Sequence, residues 1–88
     1  MARMDLGMER FEVAAQTSGV DALFELGMLY ATGLDVEADL VVAHKWFNLA
    51  ALRGNRSALA HRTELAREMT ANQIALAQKL AREWLATN

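Results

Sequence analysis

Residues 22–58 read ALFELGMLYATGLDVEADLVVAHKWFNLAALRGNRSA, and the fold follows from this stretch. Small residues recur at Ala22, Gly27, Ala43, Ala50, Ala51 and Ala58, where two helices can approach closely. Large ones (Leu26, Tyr30, Trp46, Phe47) recur where the remaining volume must be filled. Gly33 and Gly54 stand just past two helical runs, the position at which a chain leaving a helix commonly needs positive φ. Together they describe an antiparallel helix pair that stacks on further copies of itself. Such a unit is a scaffold for binding, and no catalytic group is part of the pattern.

A shift of 36 places tests for repetition. Phe11 then falls on Phe47, Ala14-Ala15 on Ala50-Ala51, Ala22 on Ala58, Leu23 on Leu59 and Leu29 on Leu65. The match is incomplete, since Gly27 falls on Thr63 and Tyr30 on Ala66. A weaker echo at a shift of 38 sets Ala81 and Trp84-Leu85 on Ala43 and Trp46-Phe47. Internal periods of about 20–50 residues indicate solenoids or arrays, whose terminal repeats are atypical because one face has no neighbour. The 88-residue chain reads as one domain: a half repeat over 1–18, a full repeat over 20–54 and a degenerate closing repeat over 55–88.

The series Ala22, Leu26-Gly27, Tyr30, Gly33, Val36, Asp39, Ala43, Trp46-Phe47, Ala50-Ala51, Gly54, Ala58 resembles the Sel-1-like repeat, a relative of the tetratricopeptide repeat. The family has a second glycine in its inter-helix loop, which Gly33-Leu34-Asp35-Val36 lacks, so that loop is expected to turn differently. Met69-Thr70, Gln73, Ala77, Leu80-Ala81 and Trp84 resemble the closing segment of bacterial proteins that carry these repeats. The resemblance implies an all-α fold, an α-α superhelix built as a short right-handed stack of about five antiparallel helices, and a role in protein binding.

Helices are predicted over 3–17, 21–32, 40–53, 56–68 and 71–86. Met4, Met8, Phe11 and Ala15 give the first an amphipathic stripe, beside which Leu6 and Val13 lie off the main face. Asp39 is placed to cap the third, and Ser57 after Gly54-Asn55 is a start signal for the fourth. Thr70-Ala71-Asn72-Gln73 forms a capping box opening the fifth. Ile74, Leu76, Ala77, Leu80, Ala81, Trp84 and Leu85 cover nearly half of that last helix, more than docking on the fourth helix requires.

Composition narrows the chemistry. The absence of cysteine excludes disulfides and thiolate metal sites, and the absence of proline suits a nearly all-helical chain. No run in residues 1–20 is apolar enough for a signal peptide or a membrane span, which makes the cytoplasm the default expectation. His44 and His61 are the only histidines, 17 residues apart, and neither belongs to a metal-binding pattern. His44 reads as a satisfied structural histidine and His61 with Glu64 as a surface pair. Asp35, Glu37 and Asp39 alternate as in a calcium loop, but the twelve-residue pattern and its final glutamate are absent. Nothing here supports an enzyme, a cofactor or a resident metal. Arg53, Arg56, Arg62 and Arg67 offer a basic face, yet the chain carries a net −2 and its aromatics sit at packing positions, so nucleic acid is a weak alternative. Charge is nonetheless uneven: residues 1–39 hold eight acids and two bases, and residues 40–88 three acids and seven bases.

In tetratricopeptide-like stacks the first helix of each pair lines an inner groove. By that resemblance Asp21, Phe24, Met28, Ala31 and Thr32 face the groove. The 36-residue shift adds Ser57, Ala60, Glu64, Arg67 and Glu68 from the next repeat. Phe24 and Met28 are spaced i, i+4, share a face, and are apolar where a merely structural surface would carry charge. The site expected to bind a peptide or partner helix is therefore Asp21, Phe24, Met28, Thr32, Ala60, Glu64 and Arg67. The competing expectation is homo-oligomerisation through the apolar surfaces of the first and fifth predicted helices.

Overall fold

A computed structural model describes residues 19–87. Among the described residues four α-helices follow one another: α1 (Val20–Thr32), α2 (Leu40–Leu52), α3 (Arg56–Ala66) and α4 (Ala71–Thr87). No strand is present among the described residues, and helical-repeat packing organises the chain. The helix predicted over 3–17, with Leu6 and Val13, lies outside the described residues.

Local chemistry sets the helix ends. Gly33 closes α1 in the left-handed region at φ 68°, and its N–H donates to the Leu29 carbonyl. The chain then turns through residues 34–38, and the Asp39 N–H donates to the Tyr30 carbonyl across 3.0 Å, so the turn closes without a second glycine. The Asp39 carboxylate accepts from Val42 N–H at 3.2 Å and starts α2 as expected. At the head of α3 the cap is Asn55 rather than Ser57: its Oδ1 accepts from Ala58 N–H at 2.7 Å. An amide two residues earlier in the chain has the reach that a serine already inside the first turn lacks. The capping box is complete, with Thr70 N–H donating to Gln73 Oε1 and Gln73 N–H to Thr70 Oγ1.

α2 is the central element and packs extensively on α1, α3 and α4. Its buried residues run round the helix: Ala43, His44, Trp46, Phe47, Leu49 and Ala50. Leu23 and Leu26 meet it from α1, Ala58 from α3, and Ala81 and Trp84 from α4. Gly27 faces Phe47 so closely that an added Cβ would stand 2.4 Å from its ring. Trp46 is buried as expected, and its ring meets Trp84 edge-on at 5.6 Å between centroids. Hence α4 docks on α2, which takes up part of the apolar width that the sequence shows to exceed docking on the preceding helix. Its stripe Ala77, Ala81, Trp84 is buried, Ile74 and Leu80 are half-buried, and Leu76 and Leu85 remain exposed.

Candidate functional site

Phe24, expected to face a groove, joins one aromatic cluster with residues of α2 and α3. Phe24 of α1 meets Phe47 of α2 at 5.8 Å and His61 of α3 at 5.3 Å, the latter edge-on. His61 also lies 5.3 Å from Phe47. Three helices thus converge on a half-buried phenylalanine, with the imidazole as the outer member. His61 Nδ1 is 2.8 Å from the Ser57 carbonyl oxygen. A carbonyl only accepts, so Nδ1 carries the proton, and this bond fixes the ring over the two phenylalanines. Sequence reading assigns His61 to a surface pair with Glu64. The structure corrects this: Glu64 pairs with Arg67 at 3.4 Å, and His61 turns to the rings.

Beside the cluster lies a shallow, open depression of about 240 Å³, lined among the described residues by Ala60, His61 and Glu64. Of the expected site, Ala60 and Glu64 border this depression directly, and Phe24 touches its lining through His61. Met28 is half-buried and packs against the core margin one turn further along α1. Asp21 and Thr32 are exposed near opposite ends of α1. The Thr32 hydroxyl donates back to the Met28 carbonyl at 2.9 Å, so it serves its own helix. Arg67 is exposed beside Glu64, one turn beyond the depression. His61 is the member that sequence reasoning missed. Its only signal is the i, i+4 spacing to Ser57, which permits the back-bond but does not announce the ring contacts.

His44 also departs from expectation. It is buried, but its Nδ1 has no hydrogen-bond partner among the described residues, so it is not a satisfied histidine. Burial disfavours the charged form and pushes its pKa below 6.5, and the nearby Arg62 guanidinium pushes the same way. Arg62 is held by a hydrogen bond to Asn48 Oδ1, one turn along α2 from His44. No three His, Cys, Asp or Glu side chains among the described residues are placed to share a metal ion. No described helix is long and apolar enough to cross a membrane.

Two helices joined by an unusual acidic turn, with a glycine under an aromatic ring, correspond to one repeat unit, and the family comparison agrees. Residues 20–55 match the Sel1 repeat model. The protein carries a Sel1 repeat. Sel1 repeats are in general protein–protein interaction modules without a catalytic centre. The matched span includes α1, α2 and the turn that follows, so Phe24, Met28 and Phe47 belong to the repeat while His61 lies beyond it. Comparison with curated proteins and with solved structures finds no match.

Proposed function

We propose that this Sel1-repeat protein is a small adaptor that docks a peptide or partner helix in the groove between α1 and α3. Phe24 and Met28 supply the apolar contact, Ala60 the open floor, and Asp21, Thr32, Glu64 and Arg67 the polar rim. The observation that carries this reading is the depression at Ala60, His61 and Glu64 beside a half-buried phenylalanine. An amphipathic helix offers apolar side chains at i, i+3 and i+4, a spacing suited to such a recess. Rim charges orient the partner and set its on-rate more than its affinity. No step of bond making is assigned to these residues, and no cofactor enters the reading.

The test is selection of phage-displayed random peptides on the wild-type protein, followed by titration against Ala60→Arg. Ala60 is exposed, so the larger side chain blocks the depression without entering the core. Selected peptides are expected to lose at least tenfold in affinity for the variant, which corresponds to about 1.4 kcal/mol. Failure to select any peptide, or peptides that bind both proteins equally, would overturn the groove reading.

A further inference from the structure

Charge is segregated along the helical hairpin, and each end carries an exposed leucine. No lysine or arginine occurs from Gly19 to His44, a stretch that holds five carboxylates. Asp35, Glu37 and Asp39 lie in the connection between α1 and α2, all solvent-exposed. Leu34 in the same connection is 81% exposed. The α3–α4 turn, toward this end, adds Glu68 and the Glu64–Arg67 pair.

The opposite end of α2 is the reverse. It finishes at Leu52, 64% exposed, and is followed by Arg53 and Arg56. The Arg53 guanidinium lies 5.5 Å from the centre of the Trp84 ring, which brings the last turns of α4, with Arg82 and exposed Leu85, to this end. Among the described residues, Asp21 and Glu83 are the carboxylates there, against three arginines. The 13 residues of α2 hold the two ends about 20 Å apart.

We propose that a second copy of this chain docks end to end, the Leu34 loop of one copy resting on the Leu52, Arg53, Arg56 and Leu85 end of the next. Each end carries an excess of the charge opposite to the other's: carboxylates against guanidiniums, with leucine against leucine at the centre. The two surfaces differ, so the contact is heterologous and leaves one free end of each kind on the outermost copies. Assembly therefore extends with concentration as a chain or closes as a ring. Exposed charges are screened beyond about 10 Å at 0.1 M salt, so the association is weak and salt-sensitive. It involves none of Phe24, Met28, Ala60 or His61, and it is read by mass rather than by peptide binding, which separates its failure from failure of the groove reading.

Analytical ultracentrifugation of the full chain, from micromolar to millimolar at low and high salt, tests the proposal. The wild type is expected to show a weight-average mass that rises with concentration at low salt and falls toward the monomer at high salt. Two charge reversals, Asp35→Lys with Glu37→Lys and Arg56→Glu with Arg82→Glu, are each expected to remain monomeric. An equimolar mixture of the two is expected to associate again, because each then offers the other an opposite end. All four positions are exposed, and an unchanged circular dichroism spectrum verifies the fold of both variants. A wild type monomeric throughout, association insensitive to salt or to the reversals, or a mixture that stays monomeric would overturn the proposal.

Discussion

Gly27 sits inside α1, where glycine costs about 1 kcal/mol relative to alanine. Helix propensity therefore argues for replacing it, and sterics argue against. An added Cβ would meet Cδ1, Cε1 and Cγ of Phe47 at 2.4, 2.5 and 2.9 Å. Phe47 is itself fully buried and held by Phe24 and His61, so its ring has little room to retreat. Overpacking of this kind costs about 1–3 kcal/mol, enough to cancel or exceed the propensity gain. Gly27→Leu is expected to lower stability by at least that amount in urea titration, and a stabilised variant would refute the close contact. Trp46 makes the complementary case. It is fully buried against Trp84, and Trp46→Ala is expected to cost about 3–5 kcal/mol. That is a large share of the 5–15 kcal/mol typical of a folded domain, so near-wild-type melting of this variant would be incompatible with the packing described.

Among the elements, the helix ends carry side-chain bonds whose removal is readable. Asn55→Ala removes the acceptor for Ala58 N–H at the head of α3 and is expected to cost about 1 kcal/mol. The same experiment on Ser57 should change stability little, since Asn55 holds the cap. A loss at Ser57 comparable to that at Asn55, measured by chemical denaturation, would reverse the assignment. α4 shows how a long amphipathic helix divides its surface. Small Ala77 and Ala81 allow close approach to α2, and Trp84 fills the space beyond them. Leu76 and Leu85 fall on the two flanks of that stripe, which α2 alone does not cover.

For the molecule as a whole, pH dependence follows from His44. Its folded-state pKa lies below the ordinary value of 6.5, chiefly through burial and secondarily through Arg62. The unfolded state then binds the additional proton in the window between the two values. Stability is full above about pH 6.5 and declines as pH falls below it toward the folded-state pKa. Thermal melting at pH 7.5 and pH 5.5 is expected to show this loss, and His44→Leu is expected to flatten it. An equal slope in that variant would assign the effect to other groups.

Much of this was legible in the chain itself. Gly33, Asp39 and the Thr70–Gln73 box act within a few residues of themselves, so spacing alone locates three helix boundaries. The alternation of small and large residues between 22 and 58 identifies the hairpin and its repeat, because close helix approach imposes the same demand wherever it occurs. Other features depend on positions distant in sequence. His61 joins Phe24 and Phe47 only after three helices are packed, and its paper partner Glu64 is then taken by Arg67. His44 looks like any helical histidine until burial leaves Nδ1 without a partner among the described residues. The seating of α4 on α2, with Trp84 against Trp46, spans nearly forty residues of chain. Sequence by itself determined the four described helices, three of their boundaries and the repeat over 20–55, since these arise from local backbone chemistry and periodic volume. Tertiary structure decided which rings meet, which polar atoms lose water and which leucines stay exposed, since those depend on what each surface finds opposite it.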